Sequence, residues 1–200
     1  MCGIIGIASN KPVSLNIINS LKRLEYRGYD SAGLATIINK NINEKKCSGR
    51  VEKLEEILLN KPSDGNLGIG HVRWATHGIP NKINAHPHSS DIVSVVHNGI
   101  IENSDVLKKD LEQKGFSFKS QTDTEVITLL LTEALKDNNP IDSVFITLKK
   151  LQGSFALGII FKDFDNIIIG ARRGSPLAVG YAEGEKYLGS DSYALKTMTN

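Results

Sequence analysis

Apolar residues run along this chain in two rhythms, one of short continuous or alternating runs and one of helical spacing. Gly3-Ile4-Ile5-Gly6-Ile7-Ala8 reads as a buried strand whose glycines allow close backbone approach. From Val13 to Leu24, apolar side chains at Leu15, Ile18, Leu21 and Leu24 mark a helix, and Tyr26 to Ser31 forms a polar loop. Strands are expected at about 32–38 and 42–50, then a helix at 51–60 with Val51, Leu54, Ile57 and Leu58 on its apolar face. Pro62 to Gly65 is a turn. Strands follow from Leu67 to Val72 and from Ile92 to His97, separated by a long loop. A helix spans Asn103 to Gly115, capped at Asn103 or Ser104 and stopped by Gly115. Thr122-Asp123-Thr124-Glu125 has the form of a capping box before the apolar run Val126 to Leu135, and a third helix covers about 141–151. Four extended segments close the pattern: Ser154–Phe161, Ile167–Ala171, Leu177–Gly180 and Lys186–Leu188. Strands come in groups with helices grouped between them, which favours antiparallel sheets layered with helices over a doubly wound parallel sheet. The final stretch from Ser190 starts a helix and stops without a turn signal, so the natural protein is expected to continue past Asn200.

Composition adds boundaries. With 200 residues, 40% hydrophobic and 23% charged, the chain suits one domain, or a domain plus part of a second, with enough apolar content for a sizeable core. Net charge is +2 with no basic run, so nucleic-acid binding has no electrostatic footprint. No apolar stretch approaches the ~18–20 residues of a membrane-spanning helix, and no secretory signal opens the chain. The expected compartment is cytoplasmic. Of the two cysteines, Cys47 sits in a polar stretch and reads as incidental, and no disulfide is expected.

Cys2 is different, because a small residue after Met1 permits removal of the initiator. The chain then begins with a thiol and a free α-amine, whose ordinary pKa of about 7.7–8.0 lets it accept a proton near neutrality. Nucleophile and base would share one residue. Downstream, His71-Val72-Arg73-Trp74-Ala75-Thr76-His77-Gly78 and His97-Asn98-Gly99-Ile100-Ile101-Glu102-Asn103 carry further polar chemistry. Asn98-Gly99 fits a hairpin turn, or an amide and a backbone N–H aimed at a developing oxyanion. Asp123 reads as a helix cap or a ligand, Arg73 as a surface charge or an anion partner, and Ser175 as a turn residue. Four of the five histidines fall between His71 and His88, and His86-x-His88 is a spacing zinc can use. No carboxylate joins them before Asp91 and no His-Glu-x-x-His pattern exists, so a metal hydrolase is the weaker rival.

Seven motifs taken together resemble a family. Met1-Cys2-Gly3-Ile4, Tyr26-Arg27-Gly28-Tyr29-Asp30-Ser31-Ala32-Gly33, Arg73 to Gly78, Asn84-Ala85-His86-Pro87-His88, His97 to Asn103, Thr122 to Glu125 and Gly174-Ser175-Pro176-Leu177 stand in the order found in class II glutamine amidotransferases. The resemblance is strongest to the glutaminase domain of the branch that makes glucosamine 6-phosphate from fructose 6-phosphate. It covers the whole chain. It implies an N-terminal-nucleophile hydrolase fold of α+β class, a four-layer α/β/β/α sandwich of two antiparallel sheets. It also implies that residues 1–200 are one type 2 amidotransferase domain, short of its C-terminal end and without sugar-isomerase domains.

The resemblance further implies that Cys2 attacks the side-chain amide of L-glutamine, with Asn98 and the Gly99 N–H as oxyanion hole. Arg73 would pair with the substrate carboxylate and Asp123 with its ammonium. Trp74, Thr76 and His77 would belong to a loop closing over glutamine, and Arg27 would lie near the terminal cysteine. No metal or organic cofactor is implied. The full-length relative is expected to be a homodimer. Alternatives are the glutaminase half of an amidophosphoribosyltransferase and a glutamine-binding module without catalysis. Val72 and Arg173 depart from the family pattern, the one where threonine is common and the other where a small residue is usual.

Overall fold

The computed structural model describes residues 2–75, 78–196 and 198. Among the described residues, ten strands form two antiparallel sheets. The six-stranded sheet has the order β3-β2-β4-β1-β10-β9, from Asn41–Ser48, Ser31–Ile38, Leu67–Arg73, Gly3–Ala8, Glu185–Gly189 and Ala178–Ala182. The four-stranded sheet has the order β5-β6-β7-β8, from His88–Ser89, Val93–Ile101, Gly153–Phe161 and Phe164–Arg173.

Alternation along each strand sorts side chains between two cores. Ile4 of β1, Ala35 and Ile37 of β2, and Leu67 and Ile69 of β4 meet Val96, Ala156 and Ile160 of the second sheet, so this cluster glues sheet to sheet. On the opposite face of β1, Ile5 and Ile7 pack under α1 (Ser14–Leu24) and α2 (Val51–Asn60), together with Ile17, Leu21 and Leu54. The second sheet buries Val95, Phe155 and Leu157 against α3 (Ser104–Gln113), α4 (Thr124–Ala134) and α5 (Pro140–Lys150). Helices therefore cover both outer faces, which is the α/β/β/α sandwich. Gly70 on β4 shows why the helix layer lies so close: a side chain there would strike Ile17 of α1.

The expected elements are present, with instructive differences. Leu15 is 64% exposed and leaves the apolar face of α1, which runs through Ile17, Ile18, Leu21 and Leu24 instead. The expected loop at Tyr26 contains a 3-10 turn, Glu25–Arg27. Strand β6 runs on through Asn98 and Gly99 to Ile101, so the Asn-Gly pair is not a hairpin turn. Its partner β7 continues alongside, with Gly99 opposite Phe155. The capping box before α4 does not form: Asp123 makes no side-chain cap bond. Glu125 instead accepts the backbone N–H groups of Lys119 and Ser120. Cys47 lies on β3 with its side chain in the core beneath α2, not in a polar surface stretch. After β10 comes α6 (Ser192–Leu195), capped by the Asp191 carboxylate, which accepts the Tyr193 N–H at 2.9 Å.

Candidate active site

Antiparallel pairing explains how distant residues meet. Gly3 stands opposite Val72, which brings the start of β1 beside the end of β4, where Arg73 and Trp74 follow. Strand β2 flanks β4 with Ser31 opposite Arg73. Strand β6 packs across from β4 and α4 begins above β6, so Asn98, Gly99 and Asp123 gather at the same end of the sandwich. A cavity of about 310 Å³ opens there. Its walls carry Cys2, Arg27, Arg73, Trp74, Asn98, Gly99 and Asp123, every described residue expected at the site. The volume suits a small molecule. Thr76 and His77 lie outside the described residues. A wider depression of about 690 Å³ at the other end, between Asn39, Asp64 and Lys186, has no cysteine, histidine or arginine in its walls.

Cys2 is half-buried, and the Trp74 backbone holds its thiol: the Trp74 N–H donates to Sγ at 3.3 Å and Sγ contacts the Trp74 carbonyl at 3.5 Å. Burial pushes the thiol pKa up, opposed by the Trp74 hydrogen bond and the nearby Arg73 charge. Asn98 Nδ2 donates to the Cys2 carbonyl at 2.9 Å. Gly99 has φ of +129°, and a Cβ there would run into the Ser154 carbonyl, so only glycine fits this turn of the strand.

Arg73 is 3% exposed, which overturns the surface-charge reading. Its guanidinium donates to the carbonyls of Gly78 (3.1 Å) and Ile79 (3.4 Å). Asp123 is buried, accepts the Ile101 N–H at 2.8 Å through Oδ2, and keeps Oδ1 4.0 Å from His97 Nδ1. Trp74 is 51% exposed and meets Tyr29 edge to face at 6.1 Å. Arg27 donates to Asp191 Oδ2 at 2.5 Å, an oxygen that also accepts the Tyr26 hydroxyl. The departure at Arg173 is accommodated locally, since its guanidinium donates to the Leu151 carbonyl and covers the Phe155 ring.

The zinc-like spacing does not converge. His86 Nε2 pairs with Thr124 Oγ1 at 2.7 Å and His88 Nε2 with Thr122 Oγ1 at 2.9 Å. Among the described residues, no three His, Cys, Asp or Glu side chains are placed to hold a metal ion. Burial lowers the pKa of both imidazoles far below the ordinary histidine range, so they are neutral polar posts.

Two residues had no assigned role in the sequence. Asp30 accepts the Ala75 N–H through Oδ2, and its own N–H donates to the Arg73 carbonyl at 3.2 Å, anchoring the loop that carries Trp74. His71, fully buried on β4, contacts Asn98 Oδ1 at 3.1 Å. A signal for His71 existed: it lies two residues before Arg73, hence on the same face of a strand.

Comparisons with known proteins follow the same outline. A model of the glutamine amidotransferase domain matches residues 72–197. The glutamine–fructose-6-phosphate aminotransferase (isomerizing) of Mesorhizobium japonicum is 52% identical over 100% of this chain, which covers 33% of that protein. The chain thus spans about a third of the length of the curated relatives it matches. Among solved structures, the glutamine phosphoribosylpyrophosphate amidotransferase of B. subtilis, complexed with ADP and GMP, superposes with a TM-score of 0.84 at 26% identity, over 98% of this chain and 43% of that one. A structure described as the allosteric regulatory enzyme of purine biosynthesis gives 0.86 at 25% identity with the same coverage. More than half of the chain fits the family model and 98% of it superposes on the sandwich of these enzymes, so this chain belongs to the glutamine amidotransferase domain family.

Proposed function

We propose that this chain hydrolyses the side-chain amide of L-glutamine to glutamate and ammonia with Cys2 as nucleophile. The observation that carries this reading is the single cavity shared by Cys2, Arg73, Asn98, Gly99 and Asp123. Glutamine carries a carboxylate and an ammonium at one end and an amide at the other. A site for it needs a cation, an anion, and a nucleophile beside donors for an oxyanion. Arg73 offers a planar two-pronged donor suited to a carboxylate. Asp123 supplies the counter-charge for the ammonium.

With Met1 removed, the freed amine of Cys2 takes the thiol proton as sulfur attacks the amide carbon. Asn98 and Gly99 would donate to the oxygen as it gains charge. Collapse breaks the C–N bond, the amine passes its proton to the departing nitrogen, and ammonia leaves a thioester. Water then attacks the thioester, releasing glutamate and restoring the thiol. While Met1 remains, its peptide bond occupies the nitrogen that should act as base, so such a chain binds glutamine and hydrolyses it poorly. Trp74, Thr76 and His77 would close over the substrate, and Arg27 would brace the site from the Asp191 side.

The 52% identity to an aminotransferase acting on fructose 6-phosphate supports a destination for the ammonia. In a longer protein, a homodimer in the cytoplasm, sugar-isomerase domains would use it to convert fructose 6-phosphate to glucosamine 6-phosphate. On this reading residues 1–200 are an amidotransferase domain, and glutamine hydrolysis is the part of the reaction they carry. The phosphoribosylpyrophosphate branch is the second reading, supported by the fold but only 25–26% identical.

The test is glutamate release by the chain that starts at Cys2, beside its Cys2→Ala variant. Activity in the first and none in the second is expected. Equal rates would overturn the thiol mechanism, and no hydrolysis by either despite glutamine binding would replace it with a non-catalytic binding module.

A further inference from the structure

We infer that His71 is a positioning residue that fixes which end of the Asn98 side-chain amide faces the cavity. This rests on the oxyanion role proposed for Asn98. His71 Nε2 lies 3.0 Å from the His97 carbonyl and 3.1 Å from Asn98 Oδ1. The carbonyl can only accept, so Nε2 carries the proton and donates. That N–H in turn requires an oxygen, not an NH2, from the Asn98 amide. The NH2 end is thereby turned toward the cavity, where Nδ2 donates to the Cys2 carbonyl. Flipping the amide would set N–H against N–H at His71 and oxygen against oxygen at Cys2. Both interactions would be lost together in a buried place, where unmade hydrogen bonds cost most.

The surroundings hold the imidazole in this one form. His71 Nδ1 is buried and has no hydrogen-bond partner among the described residues, as suits a bare, neutral ring nitrogen. The His86 ring stacks on it with centroids 4.2 Å apart and planes 24° apart, which prevents rotation. Burial lowers its pKa to about 3, so the tautomer persists across the neutral range. His71 does not itself line the cavity, and its effect passes through Asn98.

The test uses glutamine hydrolysis by the chain starting at Cys2 in four variants: His71→Leu, His71→Gln, Asn98→Ala, and the double variant His71→Leu with Asn98→Ala. Losing an oxyanion donor in Asn98→Ala should cost about 10²–10³ in kcat. His71→Leu should cost about 10–100-fold in kcat with KM little changed. His71→Gln, whose amide N–H can replace Nε2–H, should recover most of that loss. The double variant should be no slower than Asn98→Ala alone, because the two act as one unit. An unimpaired His71→Leu chain overturns the inference, as does a loss that multiplies onto Asn98→Ala or one equally deep in His71→Gln. If Asn98→Ala itself is fully active, the oxyanion reading fails, a distinct result from a crippled Asn98→Ala beside a normal His71→Leu. Should His71→Leu not fold, nitrogen NMR of the unaltered chain decides: a proton on Nε2 supports the role, and one on Nδ1 overturns it.

Discussion

Cys2 and Trp74 are tied in both directions, amide to sulfur at 3.3 Å and sulfur to carbonyl oxygen at 3.5 Å. The tie follows from the pairing of β1 with β4, which brings the residue before one strand beside the end of the other. The same loop is anchored at Asp30, so nucleophile and loop are registered to each other by backbone rather than by long side chains.

That environment predicts how the thiol titrates. Burial raises the Cys2 pKa, so in the chain that retains Met1 the thiolate is scarcer at neutral pH than on an ordinary cysteine. Alkylation by iodoacetamide should accelerate about tenfold per pH unit from pH 7, and keep rising past the ordinary thiol value of ~8.5. Cys47, in the core beneath α2, should react far more slowly in the folded chain. Peptide mass mapping over time separates the two. A rate that levels off below pH 8 would contradict the shift.

Gly99 offers a backbone test. Its φ of +129° is one that side-chain-bearing residues rarely adopt, and the Ser154 carbonyl occupies the space a Cβ needs. Gly99→Ala should destabilise the chain by about 1–3 kcal/mol from strain alone. Shifting β6 against β7 should also displace Asn98, so glutamine hydrolysis falls further than the stability loss explains. Urea unfolding and kcat on the same preparation check both. An alanine variant of unchanged stability would mean the strand adapts freely.

These residues show what was legible in the sequence and what was not. The sandwich could be read because apolar spacing reports which faces are buried: Ile4, Ile5 and Ile7 on β1 announce a two-sided strand. Leu15 misled because helical spacing admits neighbouring faces, and only the packed sheet chooses among them. Asn98-Gly99 looked like a turn because local preference favours that pair in turns, while tertiary pairing with β7 keeps it extended. The cavity residues were found through their motifs. The partners Asp30 and His71 were not, since their hydrogen bonds join residues 45 and 27 positions apart, and only the place of His71 on the Arg73 face of its strand hinted at a role. Asp123 sat at the helix start as expected, yet its carboxylate serves Ile101 instead of the helix.

Asp191 joins the last helix to the site. One oxygen caps α6 through the Tyr193 N–H, and the other receives Tyr26 and Arg27. The Tyr26 hydroxyl, the Tyr193 N–H and Arg27 together lower its pKa to about 2. A carboxylate with a depressed folded pKa stabilises fully above its unfolded value of ~3.9 and loses that contribution as pH falls toward 2. Asp191→Asn should cost about 1 kcal/mol or more at pH 7 through the weakened cap and tether. The gap between the two chains should then shrink between pH 4 and pH 2. Chemical unfolding at pH 7 and pH 3 measures it, and a gap that widens in acid would refute the assignment.

The buried imidazoles should dominate acid stability. The pKa of His71 is lowered to about 3, and those of His86 and His88 well below 6.5, all chiefly by burial. Unfolded, each would take a proton near pH 6.5; folded, each stays neutral until far lower. The unfolded state therefore binds more protons as pH falls, and stability drops with it. Three such groups give a slope approaching ~4 kcal/mol per pH unit once pH is well below 6.5. Replacing one imidazole by a neutral side chain that keeps its threonine contact, as in His88→Gln paired with Thr122, should remove about a third of the slope. Urea titrations at closely spaced pH values from 7.5 to 4.5 report the slope directly. A value below one proton's worth, ~1.4 kcal/mol per unit, would mean that the histidines charge within the folded chain and that the neutral cluster beneath the cavity does not persist.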